Sequence, residues 1–355
     1  MAGGEPNPVG VNADGELPLP WLRTALTQAQ RLTRSHALLL HAALPSGQFE
    51  LALTLAQAWL CEHAERAPCG QCTSCRLARQ RSHPDLHVVV PEALRVEFNW
   101  LGEDDALLRT GAKPSREVKV EQVREAIEWS QCSAGSERGR ALVLYPAQAL
   151  NMAAANALLK TLEEPPGALR IVMAGGDPER LLPTIRSRVQ RVALRTPDAA
   201  AALSWLRAQG VSGGEHALAA AGGSPLAAQA IIEAGVSEAD LQALPRAVAC
   251  GDAQHLVGKP LPLVIDLLLR LAHDAMAQAA GAAPRFFDAS HMPPPAPLPA
   301  LQSWHQELLR AARHDEHPWN ASLLVEALVT NGARCWAPAR KPAQRGAGHS
   351  IHSAG

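Results

Sequence analysis

Aromatic side chains are scarce in this 355-residue chain: eight Trp, four Phe and one Tyr amount to 4%. Hydrophobic residues still reach 47%, so Ala and Leu carry most of the burial, which favours helices over an all-β fold. An excess of charge is also lacking. The 33 basic and 34 acidic residues leave a formal net charge of −1, which argues against bulk electrostatic binding of nucleic acid. No apolar run reaches the roughly 18 residues of a membrane span. The N-terminal MAGGEPNPVGVNADGELPLP has neither the basic start nor the apolar core of a signal peptide. Residues 1–20 read as a flexible lead-in. The expected compartment is the reducing cytoplasm, so the seven cysteines are read as thiols or metal ligands.

What is present alternates. From Trp21 to about Leu194, short apolar strands and helical stretches follow one another, the pattern of an α/β parallel sheet covered on both faces. Strands are expected at Ala37–Leu40, Leu86–Val90, Ala141–Leu144, Arg170–Ala174 and Val189–Leu194. One helix is expected at Glu121–Gln131, striped by Val120, Val123 and Ile127. Another is expected at Met152–Glu163, N-capped by Asn151 and striped by Met152, Ala155, Leu159 and Leu162. The charged, weakly periodic Pro91–Lys119 reads as a surface excursion. Beyond Pro197 the strands stop. Short Ala-rich helices, split by Gly213–Gly214 and Gly222–Gly223, give way to longer ones interrupted by the Pro-rich stretch Pro284–Pro299. The last residues carry Pro, Gly and basic side chains without periodicity, as a disordered tail does.

Cys61, Cys69, Cys72 and Cys75 place four thiols within one short stretch, with CGQC and CTSC sharing Cys72. This spacing suits a closed tetrahedral shell for structural Zn²⁺. His63 or His83 replacing one sulfur, and a redox-active or free pair, are the alternatives. Cys132, Cys250 and Cys335 are scattered and read as ordinary thiols.

HALLLHAALPSGQFELALTLAQAWL (His36–Leu60) has the strand, loop and helix of a phosphate-binding unit. Further on, LYPAQALNMAAANALLKTLEEPP (Leu144–Pro166) and AGGDPERLLPTIRSRVQ (Ala174–Gln190) follow. Together with HPDLHVVVP (His83–Pro91) and the cysteine cluster after the first long helix, these segments resemble the bacterial clamp-loader AAA+ family. The resemblance is strong over Trp21–Leu194 and weak beyond, through AGGSPLAAQA and PWNASLLVEALV.

The resemblance implies a RecA-like AAA+ domain over residues 21–196 with a zinc module at 61–75. It further implies a helical lid at 197–236, a helical collar for oligomerisation at 237–335 and a loose tail at 336–355. It also implies where the ATP chemistry belongs, and there the chain departs from the pattern. In the loop of Ala43, Pro45, Ser46 and Gly47, the phosphate-binding Lys falls on Phe49 and the Mg²⁺-binding Ser/Thr on Glu50. Tyr145 and Pro146 stand in place of the acids that anchor Mg²⁺ and activate water. Gly175 replaces the polar sensor of the next strand, and Leu226 the lid arginine.

The expectation is therefore a non-hydrolysing subunit that binds no ATP of its own. It would be a component of a DNA-directed DNA polymerase holoenzyme (a nucleotidyltransferase) and would help load the sliding clamp onto primed DNA. Its implied partners are the gamma/tau and delta subunits in a hetero-pentamer, and the clamp and DNA through them. Thr184–Val189 resembles the family's Ser-Arg-Cys motif, which makes Arg188 the arginine finger acting in trans on a neighbouring gamma/tau site. Arg186 and Arg180 are nearby bystanders, and Glu163–Glu164 read as solvent-facing punctuation before Pro165 and Pro166. The competing readings are an active gamma/tau-like ATPase and a zinc-dependent nucleic-acid-binding module.

Overall fold

The computed structural model describes residues 10–102, 107–108, 113–211, 213–313 and 320–336. It divides into two compact units, Met1–Ala208 with Gly223–Ala227, and Gln209–Gly222 with Ala228–Gly355.

In the first unit five parallel strands form one sheet in the order β2-β3-β4-β1-β5. They are β1 (Ala37–His41), β2 (Leu86–Val89), β3 (Arg140–Leu144), β4 (Leu169–Gly175) and β5 (Gln190–Ala193). Each expected strand forms, with bounds that differ by one or two residues. Both faces of the three interior strands β3, β4 and β1 are buried because these strands are apolar at nearly every position while side chains alternate in direction. Leu38, Leu40, Ala141, Val143, Val172 and Ala174 face one core. Ala37, Leu39, Leu142, Leu144, Ile171 and Met173 face the other.

The first core is roofed by α1 (Arg23–Arg31) and α2 (Gln48–Leu60). Helix α2 is buried nearly all round, with Leu51, Leu55 and Ala56 wholly inaccessible. The second core is covered by α5 (Val120–Gln131) and α6 (Met152–Glu163). The side chain of Asn151 caps α6 as expected. The stripe of α6 is rotated from expectation, however. Ala154, Ala155, Leu158 and Leu162 are buried against the sheet, whereas Met152 is 62% exposed. Between α2 and α5 lie α3 (Thr73–Arg79) and α4 (Glu92–Glu97). Part of the excursion Pro91–Lys119 falls outside the described residues, but its start is well built. Glu92 accepts from Ser115 N at 2.9 Å and pairs with Lys119 at 2.7 Å. Helices α7 (Pro183–Arg186) and α8 (Ala199–Ala208) follow β4 and β5.

The expected flexible N-terminus needs correction where it is described. Val11 is 1% exposed and donates its N–H to Gln57 Oε1 at 2.7 Å, and Leu19 lies in the core. The chain is held there because Gln57, buried in α2, satisfies an otherwise stranded backbone group. Residues 1–9 lie outside the described set, as do 337–355, on which the expected tail falls.

The second unit is helical. After α9 (Glu215–Ala220) and α10 (Pro225–Glu233), whose first residues belong to the first unit, come α11 (Glu238–Cys250), α12 (Leu261–Ala279), α13 (Leu298–Arg313) and α14 (Ala321–Ala333). Ser237 and Asp240 close a capping box on α11. The Pro-rich link between α12 and α13 is anchored at its start by Asp274, which is fully buried. Its carboxylate accepts the N–H groups of Arg285, Phe286 and Phe287 at 2.7–2.9 Å. Gly332 lets α14 approach Trp304, whose ring would lie 2.7 Å from any Cβ there.

Gln57 supplies the fold's first test. Its Oε1 holds Val11 and its Nε2 donates to Cys75 O at 3.0 Å. Gln57→Met keeps the volume and strands the Val11 N–H, while Cys75 O keeps its partner within α3. Urea denaturation is expected to show a loss of about 1–3 kcal/mol, with proteolytic cleavage appearing around Val11 before global unfolding.

Candidate functional site

The loop between β1 and α2 is where a phosphate would rest, at the C-terminal edge of the sheet. Gly47 turns the chain with φ of +90°, and a Cβ there would sit 2.4 Å from Leu19 Cδ1. Such a loop binds anions by aiming backbone N–H groups into a hollow. Here Gln48 folds back into it. Gln48 Oε1 accepts from Ser46 N at 2.8 Å, and its Nε2 donates to Leu44 O at 3.0 Å. Trp21 Nε1 donates to Ser46 O at 3.0 Å, and Ser224 Oγ donates to Pro45 O. The loop is thus tied into its own unit on every side.

Beyond Gln48 an aromatic plug takes over. Phe49 is 8% exposed and lies parallel to Tyr145 with ring centroids 4.5 Å apart. Phe98 stacks on it at 5.4 Å, and Trp100 lies at 5.7 Å. The outer face of Trp100 carries the Arg81 guanidinium at 4.7 Å. Each such ring pair adds about 0.5–1.5 kcal/mol beyond its buried area. Two of the four rings come from the excursion expected to be mere surface. The signal was there to find: Phe-Asn-Trp at 98–100 concentrates two of the chain's few aromatics. Burial, helped by the charges of Glu50 and Glu97, pushes the Tyr145 phenol up to about 12. Burial likewise raises the Glu50 carboxyl.

The remaining positions are spent structurally. Gln148 lies across Gly175, where a Cβ would meet its Oε1 at 2.1 Å, and it accepts from Gly176 N at 3.1 Å. Leu226 packs against the first core. The positions that would carry Lys, Ser/Thr, acid, sensor and lid arginine are therefore brought together, and they make a closed arrangement dominated by stacked rings, with Glu50 at its margin.

Arg188 stands after α7, just before β5, and its side chain is 31% exposed. Its Nε donates to Glu163 Oε1 at 2.6 Å, and its Nη2 donates to the same oxygen. Its Nη1 donates to Thr184 O at 2.9 Å and Ser187 Oγ at 3.1 Å. Glu163, expected as punctuation, is thus a partner of the arginine. No pattern in the sequence links them, because their contact is made by the sheet. Arg186 is paired with Glu179.

The four cysteines meet. All four Sγ atoms lie within 4.8 Å of one another, and each residue is buried. The separations are 3.9 Å for both Cys61–Cys72 and Cys69–Cys75. A tetrahedral ion with ~2.3 Å bonds to sulfur requires edges of about 3.8 Å, so the set fits a thiophilic ion. The N–H groups of Cys72 and Cys75 point at Cys69 Sγ and Cys72 Sγ, each at 3.3 Å, as donors to thiolates do. All seven cysteines are free thiols. The histidine alternative loses support at His83, whose Nδ1 accepts from Asp85 N at 3.0 Å. Among the described residues, the potential ligand cluster consists of the cysteines alone.

A five-stranded parallel sheet of this order, with a loop–helix unit at its C-terminal edge, a cysteine module behind its first long helix and a helical C-terminal region, is the α/β architecture expected of an AAA+ protein. The comparisons with known proteins carry the assignment further. The family model described as DNA polymerase III, delta subunit, matches residues 22–198. The chain is 32% identical to the DNA polymerase III subunit delta' of Pseudomonas aeruginosa, covering 88% of this chain and 97% of that one. It is 34% identical to the delta' subunit of Escherichia coli K12, over 74% and 78% of the two chains. It is also 32% identical to the tau subunit of Escherichia coli K12, over 49% of this chain and 24% of that one. The chain belongs to the delta' family of DNA polymerase III subunits.

Glu50 offers a test of the closed loop. Burial disfavours its charged form, so its carboxyl ionises at higher pH when folded than when unfolded. Such a group lowers stability above the ordinary carboxylate range and costs nothing once protonated. Glu50→Gln is expected to raise the melting temperature near neutral pH and to leave it nearly unchanged near pH 4. Equal shifts at both pH values would contradict the burial of this carboxylate.

Proposed function

We propose that this chain is the non-hydrolysing delta' subunit of a clamp loader, acting in the cytoplasm within a hetero-pentamer of gamma/tau and delta subunits. It would help place the sliding clamp on primed DNA. The observation that carries this reading is the Phe49–Tyr145 stack. It fills the space where a cation and an acid would have to stand for ATP and Mg²⁺ to be held. An apolar ring there neutralises no phosphate, and the half-buried carboxylate of Glu50 repels one. The same stack counts against the active-ATPase alternative.

Arg188 supplies the positive charge the pocket lacks, for use elsewhere. Its part-exposed guanidinium would enter the ATP site of the adjacent gamma/tau subunit, where negative charge develops on the γ-phosphate. Arg is suited to this because its planar fork stays charged and binds oxygens in pairs. Supplying such a finger is worth about 10³–10⁵ in rate in other phosphoryl-transfer systems. The rest of the unit would serve as a mount for it: β5, which begins two residues after Arg188, is the edge strand bonded to the interior strand β1.

The cysteine cluster would hold Zn²⁺ as a structural ion. Cys61 ends α2 and Cys72 caps α3, so the ion staples these two helices where little apolar packing joins them. Binding at such sites contributes about 10–16 kcal/mol to folding in isolated modules. The purified chain is expected to contain one Zn²⁺, released by thiol-modifying reagent and measured with a metallochromic dye. Cys75→Ser is expected to lose the ion and lower the melting temperature of the first unit.

The function is tested with the reconstituted complex. Arg188→Ala is expected to leave the mass of the complex unchanged and to lower clamp-loading ATPase turnover, by up to about 10³-fold at the site the finger completes. The isolated chain is expected to give no saturable ATP binding in equilibrium dialysis with Mg²⁺. Unchanged turnover, or saturable binding, would overturn the reading.

A further inference from the structure

Arg188 has four of its five guanidinium donors engaged within its own chain before any neighbour arrives. A guanidinium has five N–H donors. One is used on Nε and one on Nη2 by Glu163 Oε1, and two on Nη1 by Thr184 O and Ser187 Oγ. One donor on Nη2 is left. The site that receives Arg188 is held in position from below. Glu163 is the last residue of α6, and the preceding carbonyl, Leu162 O, is bonded to His36 Nε2 at 2.7 Å. Ser187 Oγ in turn donates to Thr184 O at 3.1 Å, so the oxygens facing Nη1 form one connected set.

We infer that Glu163 is a positioning residue that holds the finger in an unengaged state and competes with a neighbour's triphosphate for it. This rests on the reading of Arg188 as the finger. The argument is electrostatic. A carboxylate against the guanidinium cancels the charge that makes the finger useful, and it presents a negative group to an incoming γ-phosphate. Two anions cannot share the Nε/Nη2 edge of one guanidinium without repelling each other. Engagement in trans is therefore an exchange: Glu163 leaves and phosphate takes its place. The pair is weak enough for this, since both partners are part-exposed, Glu163 at 49% and Arg188 at 31%. It is still directional enough to keep a long, flexible side chain in one rotamer.

The exchange gives the subunit a threshold. A loosely apposed neighbour leaves Arg188 on Glu163, and a closed interface with a correctly placed triphosphate draws it off. Glu163 would thereby set how strongly turnover depends on the clamp and DNA that close the interface.

The test uses the complete complex, reconstituted with gamma/tau and delta, in four forms: wild type, Glu163→Gln, Arg188→Ala and the double variant. ATPase is measured with and without clamp and primed DNA, and assembly is checked by mass. Glu163→Gln is expected to raise the unstimulated rate about two- to five-fold, the range of an exposed ion pair, so that the ratio of stimulated to unstimulated rate falls. The difference from wild type is expected to shrink at high salt, because screening weakens the wild-type pair. In the Arg188→Ala background the Glu163 substitution is expected to have no effect. An unstimulated rate that is unchanged or lowered by Glu163→Gln would overturn the inference while leaving the finger intact. A stimulated rate unaffected by Arg188→Ala would remove the finger reading, and the inference with it.

Discussion

The contact between Phe49 and Tyr145 sets the terms for the first unit. A nucleotide-binding loop has to keep a hollow open and a positive charge at its floor, and both are costly to maintain in a folded protein. This chain does neither. Phe49 fills the floor, Tyr145 closes on it from the end of β3, and Phe98 and Trp100 seal the outside. Gln48 then satisfies the loop's own polar groups, which a bound phosphate would otherwise do. With the hollow gone, Gly175 and Leu226 also follow. Gln148 occupies the space in front of the former, and the latter adds to the core instead of reaching for a phosphate. The departures from the nucleotide-binding pattern are parts of one packing solution.

That solution explains what could be read in advance. The strands were legible because a sheet buried on both faces needs apolar residues at every position, and Leu38–Leu40 or Leu142–Leu144 can be little else. The cysteine set was legible because four ligands at short spacing have few other uses. The departure from the nucleotide-binding pattern could be read residue by residue at Phe49, Glu50, Tyr145 and Pro146, though not the ring stack that Phe49 and Tyr145 make. Three things could not be read. The rotation of α6 is set by its packing on the sheet, so Met152 looked like stripe and is exposed. The pinning of Val11 by Gln57 joins positions 46 residues apart through a single side chain. The pairing of Glu163 with Arg188 bridges 25 residues and depends on β4 returning the chain to the end of α6. Local periodicity carries no trace of such contacts.

The two ends of the first unit differ in physical character, and the difference matches the roles proposed for them. Around Phe49 the groups are apolar, buried and interlocked, which yields one rigid arrangement and no exchange with solvent. Around Arg188 they are charged and part-exposed, and the bonds there can be traded for others at small cost. A rigid mount with a labile charged tip is what a group acting on another subunit's chemistry requires. The guanidinium must be delivered to a defined place, yet must change partners on arrival. A cation buried in the chain's own pocket would have been fixed to that pocket. Placing the proposed finger at the rim, and closing the pocket behind it, would separate the work of positioning from the work of exchange.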